Sequence, residues 1–111
     1  MDELTKESEY LLLCFGKYFF ENRENGKSRF DSKQLGSSEN IHQSLTPNIN
    51  ISDIEDSCEE LEKKGFLHLD RYWGGFDAQM TDQTIIYIEN RFKNNLNLIL
   101  DGIIKIKKVF F

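Results

Sequence analysis

The stretch SDIEDSCEELEKKGFLHLDRYWGGFDAQM, Ser52 to Met80, decides how the rest of the chain is read. Ser52 is a competent N-cap and Glu55, three residues on, completes a capping box, so a helix is predicted from there. Ile54, Cys58 and Leu61 give that helix its inward face, and Lys63-Lys64-Gly65 ends it with bases at the negative end and a glycine at C′. From Leu67 the period changes to two. Gly74-Gly75 supplies the two positive-φ residues that a two-residue hairpin loop favours, which pairs Trp73 with Phe76, Arg71 with Ala78 and Leu69 with Met80. That face is mostly apolar; His68, Asp70, Tyr72, Asp77 and Gln79 form the other.

Upstream, Thr5 caps a helix predicted to run to about Glu24, where Asn25-Gly26 stops it. Leu11, Cys14, Phe15, Tyr18 and Asn22 follow the helical rhythm, and Leu12, Phe19 and Phe20 widen the stripe so far that the helix must be enclosed. Lys27–Phe30 reads as a short strand, followed by a short helix capped by Asp31 or Ser32 and ended by Gly36. The polar run from Gly36 to Asn50 is expected to be the least ordered internal segment, with a helical turn over Glu39–Leu45 and Ile41, Leu45 and Ile49 as its anchors. His42, with no ligand-spaced neighbour, is expected to face solvent.

Downstream, Thr81 caps a further helix with Asp82 in its first turn and Ile85, Ile88 and Phe92 inward. Beyond Asn94-Asn95, Leu96, Ile99, Ile103, Ile106 and Phe110 recur at three- and four-residue spacings as a short seam, with Leu98, Leu100, Ile104 and Val109 outside it. Such a helix must cover the core, pair with a second copy or touch a membrane.

A chain of 111 residues with 39% apolar and 13% aromatic content builds one core without staples. Cys14 and Cys58 lie on apolar helix faces with no secretory signal ahead of them, so reduced, buried thiols and a cytoplasmic location are expected. Net charge is −5, a poor match to polyanions in general. Residues 53–62 hold six acids and no base, whereas Arg91, Lys93, Lys105, Lys107 and Lys108 make the C-terminal end basic. No phosphate loop, dinucleotide fingerprint, paired CxxC, HExxH or GxSxG occurs, so neither an enzyme, a metal site nor a cofactor is expected.

The order of helix, short strand, short helix, capped helix, glycine-turn hairpin and trailing helix resembles a winged-helix domain. Glu62-Lys63-Lys64-Gly65-Phe66-Leu67 looks like the exit from a winged-helix recognition helix, and Met80-Thr81-Asp82 like the step from wing to next helix. The N-terminal helix and the extension past Asn95 are similar to the small YjcQ-like proteins of bacteria and phages. The resemblance implies an α+β winged-helix domain over residues 1–94, a three-helix core with a β-hairpin wing, plus a C-terminal helix over 95–111. It further implies a small DNA-binding regulator whose recognition helix lies in the major groove.

Asp53, Asp56, Glu59 and Glu60 stand where a groove reader shows bases or amides, so DNA contact would fall to Lys27, Arg29, Lys33 and Arg71. The alternative is a protein-interaction module on the same fold. Asp53, Asp56, Glu59, Glu60 and the aromatic tip Tyr72, Trp73 and Phe76 would then engage a basic partner. The superfamily favours the first reading, the charge pattern the second. The DNA-binding regulator is expected to be a homodimer through its first or last helix, the last offering Leu96, Ile99, Ile103, Ile106 and Phe110. Attachment of LNLILDGIIKIKKVFF to a membrane surface is the third reading.

Overall fold

A computed structural model describes residues 4–93 and 95–110, the last without its side chain. Within them the fold is α+β: six helices and one three-stranded antiparallel sheet in the order β1-β3-β2. Helix α1 (Lys6–Glu24) is the centre of the molecule. The Thr5 hydroxyl accepts from Ser8 N at 3.1 Å, and the chain leaves the helix at Asn25 and Gly26, the latter at φ +87°. Leu11, Leu12, Leu13 and Phe15 are all fully buried, because neighbouring helices press on α1 from several sides. An apolar stripe too wide for one interface is what an enclosed helix requires.

The next segment corrects the expected order. Arg29–Ser32 is a helical turn, α2, capped by Ser28, whose Oγ accepts from Asp31 N at 3.0 Å; the strand comes after it, at Gln34–Gly36 (β1). Phe30 stays 65% exposed while Leu35 is 1% exposed, so the residue that needs the sheet is Leu35. The Gly36–Asn50 run is also better anchored than its composition suggests. Ser37 caps α3 (Ser38–Ser44), Ile41, Thr46 and Ile49 are buried, and His42 is half-buried, not solvent-facing. Its Nδ1 donates to the Ile49 carbonyl at 2.6 Å, which places the ring proton on that nitrogen.

Helix α4 spans Ile51–Lys63 and is capped by Asn50, not Ser52: Asn50 Oδ1 accepts from Asp53 N at 3.0 Å, and the Ser52 hydroxyl donates to the same oxygen. No capping box forms. Glu55 instead accepts from Ser38 Oγ at 2.9 Å and ties α4 to α3. The exit is a Schellman turn, with Phe66 N on Leu61 O, Gly65 N on Glu62 O and Gly65 at φ +88°.

Strands β2 (Leu67–Tyr72) and β3 (Gly75–Met80) form the hairpin, and its loop is Trp73-Gly74, one residue earlier than expected. Tyr72 pairs with Gly75, Arg71 with Phe76, Leu69 with Ala78 and Leu67 with Met80. Only Gly74 takes a positive φ, +91°, so one glycine suffices and Gly75 is free to begin β3. Moving the loop by one residue shifts each partner by two, which leaves both faces as predicted.

Helix α5 (Asp82–Phe92) buries Ile85, Ile88 and Phe92. Thr81 holds the N-cap position, yet its hydroxyl donates to Gly65 O at 2.6 Å and not to its own helix. Gln83 Nε2 donates to Lys64 O at 3.0 Å, and Thr84 Oγ1 to Phe66 O at 2.5 Å. Three successive carbonyls at the end of α4 are thus received by the first turn of α5.

Helix α6 (Leu96–Phe110) lies along α1. Ile99 and Ile106 are buried in the chain's own core, with Leu96 and Ile103 half-buried against it. Two residues of the seam expected to join a second copy, Ile99 and Ile106, are thus covered within the chain, and Leu96 and Ile103 in part; the Phe110 side chain lies outside the described residues. A three- and four-residue spacing states that a helix face is covered, not which molecule covers it.

Candidate interaction surface

The hairpin and the outer side of α4 meet at Arg71. One guanidinium nitrogen, Nη2, lies 2.8 and 2.9 Å from the two Glu59 oxygens and 2.7 Å from Glu62 Oε1, while Nη1 donates to Glu62 Oε2 at 3.3 Å. Glu62 Oε2 also accepts from Leu69 N at 3.1 Å. Helical spacing puts Glu59 and Glu62 one turn apart, and the strand sets Arg71 over both, so the one arginine of the hairpin, which has no lysine, is already engaged.

The remaining DNA candidates do not converge with it. Lys33 is paired with Asp82. Lys27 is exposed, and its carbonyl accepts from Arg23 Nη1 at 3.0 Å. Arg29, also exposed, stands with Arg23 and Lys93 around a groove of about 760 Å³ whose apolar lining includes Phe19, Phe20 and Ile85. None of Arg23, Lys27, Arg29 and Lys93 forms an ion pair among the described residues.

The four α4 carboxylates expected to face outward fall into three groups. Glu60 is internal: it accepts from Ser8 Oγ at 2.7 Å, from Thr5 N at 3.3 Å and from Lys64 Nζ at 3.4 Å, fastening α4 to the start of α1. Glu59 belongs to the Arg71 clamp. Asp53 and Asp56 are left beside Glu7, where desolvation and then the Asp53 charge push the Glu7 carboxyl above its ordinary value.

At the hairpin tip Trp73 is 100% exposed and Tyr72 52% exposed. Tyr72 Oη donates to Phe76 O at 3.2 Å, which holds its ring across the turn. Partial desolvation, with the carboxylates of Asp77 and then Glu39 nearby, pushes the Tyr72 phenol above its ordinary value. Asp70 and Asp77 face each other directly across the strands, both exposed, an arrangement that costs stability unless a cation lies between them. Phe76 departs from the expectation: it is 7% exposed, on the inward face of β3 opposite Arg71, and contributes to the core instead of the tip.

Both thiols are buried and unpaired with each other, and burial pushes Cys14 up to about 11 and Cys58 up to about 12. They are un-ionised at neutral pH and behave as small apolar side chains. Among the described residues no three His, Cys, Asp or Glu side chains come together as a metal-binding group, and no helix is long and apolar enough to cross a membrane.

The clamp gives the fold a direction of pH dependence. Hydrogen bonds from Arg71 hold the Glu62 carboxyl below its ordinary value, and those from Lys33 do the same for Asp82. For a depressed carboxyl, the stabilisation is complete above the unfolded-state value and is lost as pH falls through the folded one. Urea midpoints should therefore drop as pH is lowered from about 5 to about 3, and Arg71→Gln should flatten part of that slope. Glu7, being raised, has the opposite sign, and its penalty disappears on acidification. Midpoints that rise steadily over the same range would mean that the clamp is not closed in solution.

No protein-family model matches the chain, and no curated protein or solved structure matches it at a significant level.

Proposed function

We propose that the chain is a non-enzymatic binding module of winged-helix type that engages a basic segment of a partner protein through its hairpin wing. The β1-β3-β2 sheet, with α3 and α4 ahead of the hairpin, is compatible with a winged-helix-like arrangement. The observation that carries the reading is the pairing of opposites at the wing. Its one guanidinium is bound by Glu59 and Glu62, while a fully exposed tryptophan and the facing Asp70 and Asp77 have no cation of their own among the described residues. A phosphate backbone would meet carboxylates on that side and gain no free base from the wing. A lysine or arginine would find ring faces and carboxylates together, as in cation–π recognition.

The chain has one tryptophan, so its emission reports the wing alone. Titrating the full chain with a nona-arginine peptide should shift that emission, and Asp70→Asn with Asp77→Asn should weaken the response about tenfold. Trp73→Ala should change the unfolding free energy by less than about 0.5 kcal/mol, since a wholly exposed ring has no packing to lose. In anisotropy the same variant should lower labelled-peptide affinity about thirtyfold or more, the scale of an aromatic hot spot. No response to the peptide, or a large loss of stability in Trp73→Ala, would refute the reading.

The DNA-binding alternative keeps one observation in its favour: Arg23, Lys27, Arg29 and Lys93, away from the wing, form no ion pair among the described residues, although Glu24 and Glu89 line the same groove. Duplex DNA binding at about 50 mM salt that falls with Arg29→Gln and not with Arg71→Gln would select it.

A further inference from the structure

Arg23, Arg29 and Lys93 stand around a groove of about 760 Å³, a volume in the range of sites that take whole small molecules. Its floor is apolar: Phe19 and Ile85 are buried, Phe20 and Leu96 half-buried, and the two phenyl rings meet edge to face at 5.2 Å. The helical repeat sets charges above that floor. On α1, Arg23 stands one turn beyond Phe19 and Glu24 one turn beyond Phe20, and on α5 Glu89 stands one turn beyond Ile85. Lys93 ends α5 in a left-handed conformation, φ +53°, the only non-glycine residue with a positive φ among the described residues. The turn it makes brings Leu96 of α6 to the same groove.

These charges are not spent on one another. None of Arg23, Arg29, Lys93, Glu24 and Glu89 is in an ion pair among the described residues, and Asp82, close enough to feel Arg29, is paired with Lys33. Arg23 Nη1 donates to Lys27 O at 3.0 Å, which fixes the guanidinium at the rim. Three bases against two acids leave one positive charge, in a chain whose total is −5. That balance selects the ligand. A single carboxylate brings the groove to neutrality, whereas a polyphosphate adds negative charge that Glu24 and Glu89 oppose, and a cationic amphiphile is opposed by three bases.

We propose that this groove binds a small monoanion with an apolar body, of the alkyl carboxylate class. The chain lies on Phe19, Phe20, Ile85 and Leu96, and the carboxylate sits among the bases of the rim. The wing contributes no residue to the groove, so the site is independent of the partner binding proposed above.

A dansyl-labelled undecanoate, a fluorescent monoanion with an apolar body, tests this by titration into the full chain and displacement by unlabelled compounds below their micelle-forming concentrations. Decanoate should displace it, and octanoate, shorter by two methylenes, should need about tenfold more. Decanol, with the same body and no charge, should bind about tenfold more weakly than decanoate. Arg23→Gln with Arg29→Gln should lower decanoate affinity about thirtyfold and leave decanol unchanged, whereas Glu24→Gln with Glu89→Gln should raise decanoate affinity about threefold. All four positions are exposed, so the melting temperature of the unliganded chain should stay within about 3 °C in both variants. No rise in dansyl emission, displacement that ignores chain length, or decanoate affinity that Arg23→Gln with Arg29→Gln leaves intact would overturn the proposal. Displacement of the probe by random duplex DNA at lower concentration than by decanoate would also overturn it and assign these bases to nucleic acid.

Discussion

Ile88→Ala is expected to lower the unfolding free energy by about 3 kcal/mol, and Gly16→Ala added to it to return part of that loss. Ile88 is fully buried on α5 and rests on α1 where Gly16 leaves it room. A Cβ at Gly16 would lie 2.8 Å from Ile88 Cγ1 and 2.9 Å from Cδ1, closer than carbon atoms approach. Truncating Ile88 opens a cavity at the crossing of the two helices. Gly16→Ala alone gains about 1 kcal/mol of helix propensity and loses about 1–3 kcal/mol to overpacking, so it should be mildly destabilising. In the double variant the new methyl enters the space that Ile88 vacated, and the propensity gain remains. The pair should therefore couple by at least about 1 kcal/mol in urea unfolding with an unchanged m value. Losses that add within about 0.5 kcal/mol would mean that α5 does not sit on Gly16.

Such a contact has no sequence signature, since a mid-helix glycine states only that a methyl is missing. The features that were legible are local. Thr5, the Lys64-Gly65-Phe66 exit and the period-two faces of the hairpin each depend on residues within a turn or two of each other. Local signals misled where two residues offered the same chemistry side by side. Asn50 and Ser52 are both good caps, and what separates them is that the Ser52 hydroxyl can reinforce Asn50 while Asn50 reaches Asp53 N. Gly74 and Gly75 are both suited to a loop, but only one positive φ is required. Strand β1, three residues long, is too short for a period to be seen, and its position is set by pairing with β3 far along the chain.

For the surface, the sequence supplied the charges but not their partners. Arg71 is nine and twelve residues from the glutamates that bind it, across a change from helix to strand, so it looked like a free base on the wing. Glu60 looked outward yet is spent on Thr5 and Ser8, more than fifty residues upstream. Shifting the loop by one residue moved Trp73 into the turn and left Phe76 in the sheet, which separates an exposed ring from a buried one. The exposed aromatic tip was therefore anticipated at Tyr72 and Trp73 and overextended at Phe76.

Gly65→Ala should cost about 2–3 kcal/mol, and Gly74→Ala about 1–2 kcal/mol, although both glycines hold a left-handed backbone. The φ values, +88° and +91°, make the backbone strain of an added Cβ nearly equal at the two sites. Their surroundings differ. At Gly74 nothing lies within 4 Å of the new atom, so strain is the whole cost. At Gly65 the Cβ would lie 2.5 Å from Gln83 Oε1, and the side chain must leave to admit it. Gln83 then gives up its bond to Lys64 O, one of three side-chain bonds that join the end of α4 to the start of α5. Gln83→Ala alone should reproduce only the hydrogen-bond part, about 1 kcal/mol, and should reduce the further cost of Gly65→Ala when the two are combined. Because the tip is outside this junction, Gly65→Ala should leave tryptophan emission of the folded protein unchanged, while Gly74→Ala alters it. Equal losses at the two glycines would show that the α4 exit is held by its own turn and not by α5.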